Sequence, residues 1–236
     1  MIPTALAHTG IRKSEPKVKV IIPTLNEEKT IGSVIERTLL YADKVLVIDG
    51  RSEDDTVEIA RKMGARIMIQ NGRGKGAALK EAFDQVEGEI VLMLDGDGSM
   101  RPEEIPLFIK EIRSGADIVK GSRFIHGGGS EDLTLLRKSG NALFTILVNT
   151  IWKSNFTDLC YGYIAFKRDV TKKLSPTLRS KGFDIETEIL IKAKKLGLII
   201  VEVPSLELKR LYGKSNLNTF RDGLKILSTI LREVFT

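Results

Sequence analysis

From residue 18 onward, short β-branched runs alternate with stretches in which apolar residues return every three or four positions. Residues 18–22, VKVII, run up to Pro23 and read as a strand; Ile31, Val34, Ile35 and Leu39 then mark one face of a helix over 29–41. Residues 44–49, KVLVID, form a second buried strand. Ser52 is placed to cap a helix through Met63, with Glu53, Asp54 and Asp55 near its positive end and Gly64 stopping it. The pattern then gives a strand at 66–69, a helix at 76–86, a strand at 90–94 and a proline-opened helix at 102–113. Successive strand–helix units of this kind predict a mainly parallel, doubly wound sheet.

The second half is less regular. Strands are expected at 118–120, 163–166 and 198–203, and helices at 133–152, 185–196 and 219–235. Residues 1–17 carry Pro3, Gly10 and Pro16 with no sustained apolar run, and read as a flexible leader rather than a signal peptide. No internal repeat or linker interrupts 18–236, which is expected to be one domain with an elaborated C-terminal half.

Composition narrows the chemistry. The chain has 236 residues, 42% hydrophobic and 29% charged, an ordinary globular balance. Its single cysteine, Cys160, rules out a disulfide framework and points to a reducing compartment; with only His8 and His126 beside it, a structural zinc site lacks ligands. Any metal is therefore to be held by oxygen. Lys and Arg number 37 against 31 Asp and Glu, a bias towards anionic partners. The apolar stretch 142–152 is broken by Thr145, Asn149 and Thr150 and falls short of the ~20 residues of a spanning helix. The Asn155-Phe156-Thr157 sequon has no secretory signal to bring it to a glycosylating compartment.

In open parallel sheets, ligands lie beyond the carboxyl ends of the strands. Three strand ends here carry carboxylates: Pro23-Thr24-Leu25-Asn26-Glu27-Glu28, Asp49-Gly50-Arg51-Ser52, and Asp95-Gly96-Asp97-Gly98-Ser99. Asp95 and Asp97 directly follow an apolar run, where they can offer oxygens to a hard divalent cation while Gly96 lets a diphosphate approach the backbone. An EF-hand is excluded by Met100 at the position needing glycine and Pro106 at the position needing glutamate. Gly72-Arg73-Gly74-Lys75-Gly76, before a helix, can present N–H groups and cations to phosphate, but matches neither a Walker A loop nor a dinucleotide fingerprint. Arg123, Arg137, Lys138, Arg210 and Lys214 are further candidates for phosphate, since guanidinium forks match its oxygens.

VIIPTLNEEKTIGSVI, VLVIDGRSEDDT, GRGKGAAL, IVLMLDGDGS, GSRF at 121–124, and Thr157-Asp158 with Gly162 together resemble family 2 glycosyltransferases of the GT-A fold. Within that family the chain is most similar to dolichyl-phosphate mannose and glucose synthases and their polyprenyl-phosphate relatives. The resemblance covers most of 18–216 and implies a Rossmann-like α/β sheet with a C-terminal acceptor half. It implies that Pro23, Leu25, Glu27 and Asp49 hold the nucleoside, with Lys75 nearby and Gly96 beside the diphosphate. Asp95 and Asp97, with Ser99, form the implied site for Mg²⁺ or Mn²⁺. Arg210 is implied in donor binding, and Arg123, Arg137 and Lys214 in binding phosphates. Asp184 and Glu186 match a motif near the acceptor site. Mannose synthases commonly have glutamine where this chain has Ser99 and lysine where it has Asn216, which leaves the donor open between GDP- and UDP-sugars. Many relatives append transmembrane segments beyond the position of Thr236.

The expected reaction is an inverting transfer with Asp97, Arg123, Asp158 and Asp184 as the catalytic set. An ionised polyprenyl or dolichyl phosphate needs positioning rather than a base, whereas a sugar hydroxyl needs Asp158 or Asp184 to take its proton. The amphipathic stretches 134–152 and 220–235 carry Leu143, Phe144, Leu224 and Leu231 beside Arg137, Lys138, Arg221 and Lys225. They are expected to touch the cytoplasmic face of a membrane, unless they bury those residues in the core. The alternatives are a soluble family 2 enzyme acting on a sugar, protein or polysaccharide hydroxyl, and a noncatalytic binder of anions or nucleic acid; the carboxylate-rich strand ends argue against nucleic acid. A sugar nucleotidyltransferase lacks a glycine-rich signature after the first strand.

Overall fold

The structure is a computed structural model that describes residues 17–210, 212–213 and 216–236; nearly all of the expected leader, and Lys214, lie outside them. The elements run β1 (Val18–Thr24), α1 (Ile31–Leu39), β2 (Lys44–Asp49), α2 (Thr56–Lys62), β3 (Arg66–Ile69), α3 (Lys75–Gln85) and β4 (Ile90–Met93). There follow α4 (Ile105–Arg113), β5 (Ile118–Ser122), β6 (Gly129–Ser130), α5 (Leu135–Trp152), β7 (Ile164–Lys167) and α6 (Arg168–Leu174). The chain ends with α7 (Ile185–Lys195), β8 (Ile200–Pro204), β9 (Leu206–Glu207) and α8 (Thr219–Val234).

Seven strands form one sheet in the order β3-β2-β1-β4-β7-β5-β8, and β6 pairs with β9 in a small parallel ladder. Only β7 runs antiparallel within the large sheet, between β4 and β5. Both faces of the sheet are covered, which is why its strands read as continuous apolar runs. Val18, Val20, Ile22, Val45, Val47, Leu92 and Leu94 enter the core beneath α1 and α4, while Ile21, Leu46, Ile48, Val91 and Met93 enter the core beneath α3, α6 and α7. Pro23 is tolerated in a central strand because the β1–β4 pairing ends at Ile21–Met93, so no ladder bond needs its missing N–H. A third cluster, Val148, Phe156, Leu159, Leu190, Ile191, Ile226 and Ile230, anchors α5 and α8 on α7.

Two expectations change. The helix expected from Ser52 starts at Thr56 with Asp55 at its N-cap. Ser52 instead donates its hydroxyl to Asp49 Oδ1 at 2.6 Å and accepts the Asn26 N–H at 2.9 Å, tying the ends of β1 and β2 together. The helix α6, unforeseen in the sequence, follows β7 directly and packs Val170 and Leu174 into the core.

Candidate active site

The carboxyl ends of β1, β2 and β4 open onto a cavity of about 660 Å³, closed on the far side by α5, α8 and the segment around Phe183. Pro23, Leu25, Glu27, Lys75, Asp95, Gly96, Asp97, Ser99, Arg123, Arg137 and Arg210 all line it, so the topology gathers eleven of the residues chosen from sequence. Gly96 is packed tightly, since a Cβ there would stand 2.8 Å from the Thr24 side chain.

Each carboxylate of the Asp95-Gly96-Asp97 turn meets a cation. Lys75 Nζ lies 2.6 Å from Asp95 Oδ1 and 2.8 Å from Glu186 Oε1. Burial alone would lower the Lys75 amine, but Asp95 and Glu186 outweigh it and hold the amine above its ordinary value, fully charged. Burial pushes the Glu186 carboxyl up, with Lys75 opposing. Asp97 accepts from Ser99 N at 2.9 Å and Ser99 Oγ at 2.7 Å through Oδ1, while Oδ2 pairs with Arg210. Arg210 also reaches Glu27 at 3.2 Å. Burial raises the Glu27 carboxyl against the pull of Arg210.

Two aspartates with hard oxygen donors suit a magnesium-type cation, which takes one or two carboxylates from a protein and shares the rest with water and substrate phosphate. Asp95 and Asp97 offer one carboxylate each to the cavity, a donor set that fits a cation shared with a diphosphate. That two side-chain cations already sit against Asp95 and Asp97 shows that the turn stabilises positive charge. Ser99 spends its hydroxyl hydrogen on Asp97 and so orients that carboxylate.

Other expectations are redistributed. Asp49 is buried and does not line the cavity; its oxygens accept from the N–H groups of Arg51 and Ser52 and from the Ser52 hydroxyl, fixing the turn after β2. Asp158 is wholly buried, with both oxygens on Arg123 at 2.7 and 3.0 Å. Burial would raise its carboxyl, but Lys120 and Arg123 hold it below the ordinary range, the reverse of what a base for a hydroxyl needs. Arg123 also reaches Glu207 at 3.0 Å, which leaves one N–H on each terminal nitrogen for a ligand. Asp184 is buried away from the cavity, accepting from Gly182 N and Thr229 Oγ1; Glu186, two residues on, is the carboxylate of that motif that lines it.

Two N–H groups of the glycine-rich loop are not offered to a phosphate. Gly76 N donates to the Lys181 carbonyl at 3.0 Å and Gly72 N to Glu81 at 2.9 Å, so these N–H groups are already used. The glycines are there for close approach: a Cβ on Gly76 would stand 2.4 Å from the Ser180 carbonyl oxygen, and one on Gly162 would stand 2.7 Å from Lys75 Nζ. Gly76→Ala is expected to cost about 2–3 kcal/mol through backbone displacement, read as a lower urea midpoint at unchanged m-value.

Sequence reasoning missed Arg51, Gln70, Met100, Phe183 and Asp222 as cavity residues. Arg51 and Phe183 stand in motifs already singled out, at 49–52 and 183–186. In the structure Arg51 takes the left-handed position after Gly50, with φ 69°, where a side chain is held at a cost in strain.

A mainly parallel α/β sheet, with a paired-aspartate turn and cations around one cavity at its strand ends, has the layout of an α/β enzyme whose ligand lies beyond the carboxyl ends of the strands. The chain belongs to glycosyl transferase family 2, whose model matches residues 19–175, and the protein is a glycosyltransferase. It is 37% identical over 225 residues to glycosyltransferase AglJ of Haloferax volcanii, covering 93% of this chain and 72% of that protein. A dolichyl-phosphate hexose transferase of the same organism is 32% identical over 216 residues, covering 90% of this chain and 92% of that protein. Glucosyl-3-phosphoglycerate synthase from Mycobacterium tuberculosis, solved with Mn²⁺, uridine diphosphate and glucosyl-3-phosphoglycerate, superposes with a TM-score of 0.75 at 24% identity. The match covers 94% of this chain and 81% of that one. The GT-A fold expected from the sequence is the fold observed.

Proposed function

We propose that this enzyme moves a hexose, with inversion, from a UDP- or GDP-sugar to the phosphate of a polyprenyl or dolichyl phosphate at a membrane surface. The observation that carries this reading is the single cavity that joins the Asp95–Asp97 turn to a wall formed by Leu133, Leu136 and Phe144 and by Ile226 of α8. One end suits a sugar nucleotide, the other a hydrocarbon chain. The relative named as a dolichyl-phosphate hexose transferase supports the acceptor, and the neighbour holding Mn²⁺ and uridine diphosphate supports the donor end.

Asp95 and Asp97 would hold Mg²⁺ or Mn²⁺, which when bound would supply charge neutralisation at the donor diphosphate. Arg137, whose guanidinium donates to the Leu217 carbonyl and the Thr219 hydroxyl, stands over the cavity with Arg123 to orient an acceptor phosphate. An ionised phosphate attacks without a base, consistent with the positions of Asp158 and Asp184 outside the cavity.

The surface helices support the membrane. α8 turns Asp222, Thr229 and Glu233 inward and leaves Phe220, Leu224 and Phe235 exposed at 74%, 69% and 87%. α5 buries Asn141 and Thr145 while Leu135 and Leu143 are exposed at 80% and 63%. Phe144, Leu147 and Trp152 pack inward, which leaves only part of the apolar residues of this stretch for a membrane. Lys138, Arg221 and Lys225 on the same helices suit acidic lipid headgroups. No helix among the described residues is long and apolar enough to span a bilayer, and the reading places the enzyme peripherally at a cytoplasmic face.

The test incubates labelled UDP- and GDP-hexoses with a polyprenyl phosphate and extracts with organic solvent. Label in the organic phase is expected; label retained on a water-soluble sugar acceptor overturns the lipid reading in favour of the hydroxyl-transferring alternative. In parallel, Leu224→Glu/Leu231→Glu is expected to reduce flotation with acidic vesicles about tenfold, since two leucines lose their burial in lipid. Unchanged flotation removes α8 from the membrane contact.

A further inference from the structure

The two cations of the aspartate turn are held very differently. Lys75 opens α3, is almost fully buried, and is clamped between Asp95 and Glu186 beneath Gly162. Arg210 lies in irregular chain after β9, is partly exposed, and reaches the site by a long flexible side chain. Asp97 Oδ1 is committed to Ser99, so any further cation on this carboxylate meets the oxygen that Arg210 holds. Among the described residues, Glu27, Asp95, Asp97 and Glu186 pair directly with these two side-chain cations, a formal excess of two negative charges that suits one divalent ion.

We propose that Arg210 is the exchangeable counter-ion of Asp97, and that its transfer to a diphosphate makes metal capture depend on nucleotide. This rests on the reading of the cavity as a sugar-nucleotide site. Without a diphosphate, Arg210 leaving Asp97 keeps only Glu27 as a partner, and metal binding bears the loss of the ion pair. A nucleoside diphosphate offers the guanidinium fork a second pair of anionic oxygens, so Arg210 exchanges partners rather than losing one. Linkage then requires that metal and nucleotide strengthen each other's binding by the same factor.

The experiment measures free Mn²⁺ by electron paramagnetic resonance in titrations of the full chain, with and without UDP or GDP. Wild type is expected to bind Mn²⁺ at least about tenfold more tightly with its nucleotide than without it. Arg210→Gln is expected to tighten nucleotide-free Mn²⁺ binding about tenfold and to shrink the nucleotide effect to the part that sharing the cation with the diphosphate supplies; Arg210→Lys, which keeps charge but loses the fork, falls between. Folded Arg210→Gln that binds Mn²⁺ no more tightly than wild type overturns the proposal. Asp97→Asn separates the two levels. If it abolishes Mn²⁺ binding while Arg210→Gln fails to tighten it, only the counter-ion role falls; if folded Asp97→Asn keeps full nucleotide-dependent Mn²⁺ binding, the metal position itself is wrong.

Discussion

Asp97→Asn is expected to lower glycosyl transfer by about a thousandfold, which corresponds to about 4 kcal/mol of lost transition-state stabilisation. The amide keeps an oxygen for the Ser99 N–H and hydroxyl, so the turn after β4 and the fold should persist. What disappears is the negative charge that opposes a cation on the leaving diphosphate. Transfer assays beside a thermal melt make the check: near-wild-type stability with collapsed turnover is the expected pair of results. Retention of more than about a tenth of the activity would place the charge-stabilising function elsewhere in the cavity.

The second large effect concerns stability. Arg123→Met leaves the buried Asp158 carboxylate without its bidentate partner and is expected to cost about 3–5 kcal/mol, with a fall in Tm of about 10 °C. Arg123→Met/Asp158→Leu is expected to recover part of this, because the buried carboxylate goes with its partner, while the buried Lys120 and Glu207 each lose a charged neighbour. The pair also sets a pH dependence. Asp158 is held below its ordinary value in the fold, so its contribution is complete above the unfolded carboxylate range near about pH 4 and is lost as pH falls through the folded value. Urea midpoints measured down the acid limb should fall more steeply for wild type than for the double variant.

The parts of this molecule that were legible in sequence are those where one physical cause leaves one pattern. Strands buried on both faces produce unbroken apolar runs such as IVLM at β4, and α1 shows its single core-facing stripe. The Asp95-Gly96-Asp97 turn stood out because charge directly after such a run has no packing explanation. Strand direction left no trace: the residues of β7 read alike whether they run with β4 or against it. The roles of strand-end aspartates were equally silent, since Asp49 bonded to its own turn and Asp97 open to the cavity are the same residue at the same kind of place. Periodicity marked the apolar stripes of α5 and α8, but it could not say which side of each helix faces out. That was settled by tertiary partners such as Lys195 and Lys192, which take the inward Glu233 of α8.

The antiparallel β7 has a consequence for how such enzymes diversify. The chain leaves the sheet at the end of β5, builds the wall that carries α5, and returns on the neighbouring strand, where Lys120 stands opposite Ile164. Both ends of this excursion are therefore pinned to one ladder of hydrogen bonds, on strands that lie side by side. The length and lining of this excursion are expected to be exchangeable without disturbing the register of β1, β2 and β4, none of which pairs with β5 or lies within it. Grafting 123–163 from another family member is the direct way to ask whether acceptor choice travels with that segment while donor choice stays behind.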